Sequence, residues 1–492
     1  MDTFNTYLEQ TNEYGEVSEI RNHIAVVFGL PHAKPNEIVV FESGQLGQVF
    51  SIDGEVIEVL ILSKEKVRVG AKLTRTDAPL KIPVGEALLG KIISPIGAPL
   101  AGVLSYERPK EERDTESTPL GIADRAKINQ PLLTGVAIVD VTIPLGKGQR
   151  ELVLGDRKSG KSSFLLNVIK SQVDSGSVAI YCAVGRRKSD IKRVDEYFRK
   201  EGIQDRCIIV SSSYDDPPSL VYMAPYTAMT IAEYFKDKGE DVLVVLDDLS
   251  THAKFYREIA LLSKRFPGRD SYPGDIFYTH ARLLERAGTF KHAEKGQVSI
   301  TCLPVAESVE NDFGYIVTNL MGMTDGHIFF DSNLYYKGRR PAVNISLSVT
   351  RVGKQASSPL RREINHEVTA FLSQYERVQS FSQFGADLSE SVKQTIDTGA
   401  KILDFFEQDY SVILPVEIQI VLLSFIWLKF FYGKPSSKIF EARKAMLEAY
   451  ATQEEVRRLF QELSEAKSFN ELLGNLSKRQ EDILALCKIS RE

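Results

Sequence analysis

Cysteine is scarce in this chain. Its four cysteines, Cys182, Cys207, Cys302 and Cys487, form no close pairs and show no metal-type spacing, which speaks against a disulfide scaffold or a zinc module and fits a reducing compartment. Long hydrophobic runs are also lacking: the most apolar window, Ile420 to Leu428, is too short to cross a bilayer, so any membrane association is expected to run through other proteins. Neither sign of charge dominates. Lys and Arg total 61 against 66 Asp and Glu, a net charge of -5, and nothing marks a protein built to bind bulk nucleic acid. The stretch Met1 to Thr6 has neither a basic segment leading into an apolar one nor an Arg-rich amphipathic presequence, so no export or organelle signal is expected. What remains is a chain of 492 residues, long enough for two or three domains with a large core.

Against this background one stretch stands out. Gly155, Asp156, Arg157, Lys158, Ser159, Gly160, Lys161 and Ser162 match the phosphate-binding pattern G-x-x-x-x-G-K-S/T without a mismatch, and Ser163 follows. The apolar run Glu151 to Leu154 before it suggests a strand, and Phe164 to Ile169 after it suggests the start of a buried helix. In that setting the glycines let backbone N–H groups curl around a phosphate, and the helix N-terminus faces it with the positive end of its dipole. Lys161 would supply a point charge between the outer phosphates, and Ser162 a hydroxyl for Mg²⁺.

Short apolar runs separated by turn residues, Ile24 to Phe28, Ile38 to Phe41, Gly47 to Ile52 and Val56 to Leu62, suggest a small β-barrel without a ligand motif. From Gly70 to about Leu120 scattered prolines and the charged run Pro109 to Glu116 indicate a linker. An α/β region then opens at Gly135 to Asp140, with apolar strands expected at Leu152 to Leu154, Val178 to Cys182, Cys207 to Val210, Val242 to Leu246 and Val298 to Cys302. Runs of this kind fit a mostly parallel sheet buried on both faces. The run Asp241 to Asp248 is the second chemical element: Asp247 falls at the C-terminal end of a central strand, where an acid can hold the water shell of Mg²⁺, whereas Asp248 reads better as a helix cap. Beyond Ser357 long amphipathic patterns, Val368 to Phe381, Val392 to Phe406, Glu417 to Phe431 and Glu454 to Leu463, predict a C-terminal helical domain.

Three groups of residues carry a resemblance. Gln149 to Arg157, then Pro267 to Arg269 with Tyr272 to Tyr278 and Leu283 to Arg286, then Pro341 to Asn344 with Ser348 to Gly353 look like the alpha subunit of F-type ATP synthases. The resemblance runs from about Ile24 into the C-terminal domain. It implies an N-terminal β-barrel, a central α/β RecA-like P-loop domain and a C-terminal α-helical domain, with boundaries expected at 1–72, 73–357 and 358–492. It further implies ATP or ADP with Mg²⁺ as ligands, and a ring of three alpha and three beta subunits around the gamma subunit of a central stalk. A peripheral-stalk or delta subunit and, indirectly, an ion-translocating membrane sector would be further partners, with no nucleic acid. The expected place is the cytoplasmic face of a bacterial inner membrane, and the work of the complex ATP synthesis or hydrolysis coupled to proton or sodium transport.

The same resemblance sorts residues into roles. Catalytic beta-type subunits place a Glu directly after a Gly at the end of the strand following the phosphate-loop helix; here Gly185 is followed by Arg186, which stays protonated and cannot orient water as a base. Alpha subunits usually carry Gln there. Arg186 either joins the basic surface cluster of Arg187, Lys188, Lys192 and Arg193 or pairs with a terminal phosphate. Arg351 resembles the alpha-subunit arginine that reaches across an interface to the beta-subunit nucleotide, an arginine finger. Tyr335, Arg340 and Gln408 match residues around the adenine, although the second glutamine of that pocket is missing near Asp409 and Tyr410, and Lys158 replaces a common Gln. The segment before Ile24 is shorter than the helical extension that docks a peripheral stalk. Competing readings are a self-sufficient homohexameric export-type ATPase, which needs the Glu that position 186 lacks, a RecA-like helicase, and an alpha-like subunit of a specialised rotary ATPase that pumps no ions.

Overall fold

Apolar residues alternating with polar ones bend the first eighty residues into six antiparallel strands: β1 (Gly15–Arg21), β2 (Ile24–Phe28), β3 (Glu37–Phe41), β4 (Leu46–Asp53), β5 (Val56–Ile61) and β6 (Lys72–Pro79). They close into a barrel in the order β1-β2-β5-β4-β3-β6, which leaves no strand edge unpaired. Val27, Val39, Phe41, Val49, Val59 and Leu73 fill it and are fully out of water, each contributing about 1.5 to 3 kcal/mol. The computed structural model describes residues 3–100, 107–310, 313–382 and 389–489. The barrel was expected from Ile24 onward, but its first strand starts at Gly15. β1 and β6 are hard to see in the sequence because polar residues such as Glu16, Glu19, Arg75 and Asp77 interrupt their apolar pattern. A helix, Thr3–Thr11, precedes them.

The chain divides into two compact units, Met1–Lys127 with Gly148–Leu154 and Val173–Asp325, and Ile128–Lys147 with Gly155–Gln172 and Gly326–Glu492. The first holds the barrel and a sheet built from β7 (Ile92–Ile93), β8 (Glu151–Gly155), β9 (Val178–Arg186), β10 (Cys207–Ser213), β11 (Val242–Asp247), β12 (Gly288–His292) and β13 (Gly296–Glu307). The strand order is β8-β13-β11-β9-β10-β7, with parallel pairing along β13-β11-β9-β10-β7 and β12 antiparallel to the start of β13. All five strands expected from apolar runs are present. β7 lies within the stretch expected to be a linker; of that stretch, residues 101–106 fall outside the described residues.

The helices Pro218–Asp237, Leu249–Leu262 and Ile276–Leu284 of this unit enclose a buried histidine pair. Nε2 of His252 lies 3.0 Å from the carbonyl of Tyr222 and its Nδ1 3.0 Å from Nε2 of His280. A carbonyl only accepts, so neutral His252 carries its proton on Nε2 and receives one from His280. Tyr222 stacks on the His252 ring at 5.1 Å, and Tyr256 donates to Asp275 at 2.7 Å beyond it. Burial pushes His252 down to about 4, and burial with the neighbouring ring holds His280 well below its ordinary 6.5. Both stay neutral in the fold while the unfolded chain takes up protons near 6.5, so their contribution to stability falls as pH drops below that value. His252 costs about 1.4 kcal/mol per pH unit and levels off near 4, and His280 acts in the same direction. The buried Asp248 carboxyl, pushed up to about 6 chiefly by burial, works in the opposite direction. The difference between wild type and His252→Asn therefore isolates the effect: denaturant unfolding at pH 7.5 and 5.0 is expected to show a loss smaller by about 2 kcal/mol in the variant. Equal losses would rule it out.

In the second unit β14 (Gly326–Phe330) pairs antiparallel with β15 (Val349–Thr350), and after the short helix Gly353–Ala356 six longer helices follow among the described residues: Pro359–Ser382, Glu390–Phe406, Val416–Trp427, Ser437–Thr452, Glu454–Ser464 and Phe469–Leu486. The most apolar window belongs to Val416–Trp427, which is buried all round from Ile418 to Ile426, as the central helix of a bundle must be. No helix among the described residues is long and apolar enough to cross a membrane. The carboxylate of Asp140 is buried beside this helix, taking hydrogen bonds from the Thr134 backbone N–H and hydroxyl at 2.8 Å, from the Gly135 N–H at 2.9 Å and from Gln419 at 2.9 Å.

Candidate functional site

The phosphate loop lies in the second unit. Its first residue, Gly155, leaves no room for a side chain: a Cβ there would stand 2.3 Å from the carbonyl oxygen of Phe330. The loop turns through positive φ at Lys158 and Gly160 and runs into the helix Lys161–Asp174. Lys161 is buried, with Nζ donating to the carbonyls of Gly155 at 2.5 Å and Asp156 at 2.6 Å, and Ser159 donates to Asp156 at 2.8 Å. These bonds hold the loop as a closed ring around its own lysine. Arg157, Lys158 and Ser162 are exposed, and Ser163 is half-buried. A hydroxyl at that helix start is the type of donor that fits Mg²⁺.

The same unit brings the expected base-side residues to this loop. Ser332 donates to Asp156 at 3.0 Å and opens the helix Ser332–Tyr336 that carries Tyr335. The Arg340 guanidinium lies 3.5 Å from the centre of the Tyr335 ring and donates to the Tyr335 carbonyl at 2.7 Å. Together they form a flat, half-exposed platform suited to a planar ring. Gln408 donates its backbone N–H to the carbonyl of Arg340 at 2.7 Å. Its side chain was expected at the adenine, but it is buried and spent on backbone: Oε1 accepts from Ala137, and Nε2 donates to Gly135 and Val412.

Arg351 sits on a turn of the second unit. The Thr350 hydroxyl donates to the carbonyl of Pro144 at 3.0 Å and accepts from the Gly353 N–H at 3.2 Å. Gly353 is required there, since a Cβ would fall 1.7 Å from that same Pro144 oxygen. The turn is thereby pinned, while the Arg351 side chain is exposed and no hydrogen bond or ion pair within the described residues holds it. Its charge adds to burial in keeping His327 below the ordinary range.

In the first unit three neighbouring strands, β9, β11 and β13, end at one edge of the sheet and deliver Arg186, Asp247 and Glu307. Arg186 hydrogen-bonds Asp247 and lies 3.1 Å from Asp248 and 3.5 Å from Glu307. This corrects the surface-cluster reading of Arg186, whose guanidinium turns inward to carboxylates. Asp248 caps the helix Leu249–Leu262 by accepting from Thr251, as expected. Tyr181 donates to the second oxygen of Asp247 at 2.5 Å. The Asp247 carboxylate thus has both oxygens engaged and its charge compensated by this chain, which does not fit a free acid awaiting Mg²⁺. Sequence reasoning does not single out Tyr181 and Glu307. A lone tyrosine inside an aliphatic strand and an acid closing another are the available signals.

A barrel, a parallel sheet whose first βα turn is a closed phosphate loop, and a helical C-terminal part define a P-loop nucleotide-binding protein. Residues 135–350 match the nucleotide-binding domain model of the ATP synthase alpha/beta family, and residues 358–480 its C-terminal domain model. The chain is 39% identical over 454 residues to the ATP synthase subunit alpha of Orientia tsutsugamushi (strain Boryong), covering 90% of this chain and 88% of that one. It is 39% identical over 449 residues to the ATP synthase subunit alpha 2 of Syntrophus aciditrophicus (strain SB), covering 90% and 86%. The chain belongs to the ATP synthase alpha/beta family, as a divergent relative of its alpha subunits.

Proposed function

We propose that this chain is a noncatalytic, nucleotide-binding alpha subunit of an F-type ATP synthase, and that it serves catalysis at a neighbouring beta subunit through Arg351. The observation that carries this reading is a guanidinium held out on a pinned turn with no partner among the described residues of its own chain. A planar fork of N–H donors on the γ-phosphate of another subunit's nucleotide would stabilise the charge that develops during phosphoryl transfer. The chain's own site would hold ATP or ADP at the loop Gly155 to Ser163, with Lys161 released from its carbonyl partners to the phosphates. Ser162 would offer a hydroxyl to Mg²⁺, and the Tyr335 and Arg340 platform would face the base. Hydrolysis there would fail, because Arg186 occupies the position of the water-orienting Glu and cannot take a proton.

In this reading three copies alternate with three beta subunits around a central-stalk gamma subunit, a delta or peripheral-stalk subunit binds the ring, and a membrane sector carries protons or sodium ions. The ring would lie on the cytoplasmic face of a bacterial inner membrane, and the barrel domain would run to Pro79, past the boundary of 72 expected from the sequence, because β6 (Lys72–Pro79) closes the barrel. The test is bound-nucleotide content and ATP turnover of the purified full chain, alone and reconstituted with a beta-type partner. The expected result is retained nucleotide without turnover alone, and turnover with the partner. Turnover by the lone chain at rates of about 1 s⁻¹ or more, ordinary for an enzyme, would overturn the assignment in favour of a self-sufficient hexamer.

A further inference from the structure

The short helix Ala137–Thr142 of the second unit ends just before Pro144. Its closing bond runs from the Ile143 N–H to the Val139 carbonyl at 2.8 Å, so the carbonyls of Asp140, Val141 and Thr142 are those that a helix end leaves open. Pro144, which would come next to serve Asp140, has no N–H to offer. The helix Pro359–Ser382 of the same unit supplies the missing donors from its first two turns. Arg361 donates to the Asp140 carbonyl at 3.1 Å, and the Asn365 amide spends both of its protons, on Val141 at 2.7 Å and on Thr142 at 2.9 Å. Asn365 is only 4% exposed, so water is kept from taking over its bonds. Further along the same segment the Pro144 carbonyl takes the Thr350 hydroxyl at 3.0 Å and stands against Gly353. Residues 140–144 are thus a row of carbonyls held from one stretch of chain, at Thr350 on one side and at Arg361 and Asn365 on the other. Arg351 follows Thr350 directly.

We propose that Asn365 is a positioning residue for Arg351, fixing the carbonyl frame from which the Arg351 turn is hung. The inference rests on the reading of Arg351 given above. Without the amide, two buried carbonyls must turn to find other donors, and they carry Pro144, and with it the Thr350 anchor, along. A group that acts in phosphoryl transfer is sensitive to such a shift, since a displacement of about 1 Å can cost about a hundredfold in rate. The guanidinium meets charge that develops only during transfer, so its misplacement should lower kcat and leave KM for ATP nearly unchanged.

The test is a double-mutant cycle on the full chain reconstituted with a beta-type partner, read by kcat, KM for ATP and the thermal midpoint. Asn365→Ala is expected to lower kcat by about ten- to a hundredfold with KM within about threefold of wild type. The midpoint should fall as well, because the two carbonyls lose their donor. In the Arg351→Ala background the same substitution should lower the midpoint equally but change kcat by less than about threefold, since no guanidinium is left to misplace. A merely structural role would cost the same factor of rate in both backgrounds. That result, or kcat of Asn365→Ala within about threefold of wild type, would overturn the proposal while leaving the role of Arg351 intact. Turnover of Arg351→Ala itself within about tenfold of wild type would remove that role and this inference with it. If Asn365→Ala does not fold or assemble, Asn365→Ser, whose hydroxyl keeps one donor of the two, decides by the same comparison: a rate loss confined to the Arg351 background supports the proposal, and an equal loss in both overturns it.

Discussion

Arg351→Ala is expected to lower partner-dependent ATP turnover by about three to five powers of ten, the range over which an arginine finger acts. At 1.36 kcal/mol per decade this is about 4 to 7 kcal/mol of transition-state stabilisation. The chain itself should be unaffected: the side chain is exposed and holds nothing among the described residues of its own subunit, so the thermal midpoint and bound-nucleotide content should match wild type. That separation distinguishes a group acting in another subunit's reaction from one that supports its own fold. Lysine should recover little of the rate, since a compact ammonium cannot place two parallel N–H donors on one phosphate. Turnover of Arg351→Ala within about tenfold of wild type, a loss of only about 1.4 kcal/mol, would remove the role. A parallel fall in midpoint would show the loss to be structural.

The second large effect concerns an arginine of the opposite kind. Arg286 closes the family-like run Leu283 to Arg286, yet its side chain is only 1% exposed and its bonds are internal. Nε and one amino group make a forked pair with Glu233 at 2.8 and 2.7 Å; that amino group also donates to Thr230 at 2.8 Å, and the other to the Thr115 carbonyl at 2.9 Å. Arg286→Ala would leave the Glu233 carboxylate with the Ser117 hydroxyl but without its countercharge, and the Thr230 hydroxyl and the Thr115 carbonyl without this donor, and is expected to cost about 3 to 5 kcal/mol of unfolding free energy. Replacing the pair together, Arg286→Met with Glu233→Leu, should recover most of that loss, because the cost lies in the stranded charge. Denaturant unfolding of the single and double variants checks this. A single variant within about 1 kcal/mol of wild type, the range of an exposed pair, would show that the pair contributes no more than a surface contact.

Much of this architecture is legible in the residues themselves. The phosphate loop follows from residue spacing alone, because a glycine whose Cβ would stand 2.3 Å from a carbonyl oxygen and a lysine that must fold back into its own loop tolerate few substitutes. The sheet's central strands are legible as unbroken apolar runs because both faces are buried. β1 and β6 are not, since a strand that shows polar residues on one face gives a weak pattern, and the helices Ser437–Thr452 and Phe469–Leu486 are obscured for the same reason. The cap at Asp248 is legible because capping is local chemistry, between residues three apart.

The sequence by itself determined the phosphate loop, the order of barrel, sheet and helices, the family, and the absence of a Glu after Gly185. Each of these is written in neighbouring residues, so periodicity, spacing or local sterics suffices to recover it. Only the tertiary structure decided that Arg186 serves Asp247, Asp248 and Glu307, that Tyr181 holds Asp247, that Gln408 is spent on backbone, and that Arg286 is internal while Arg351 is left outside. Apart from Val412, four residues beyond Gln408, these partners are tens to hundreds of residues apart along the chain. Arg186, Arg286 and Arg351 carry the same side chain, and a guanidinium takes its role from whichever carboxylates, carbonyls or solvent the fold sets around it.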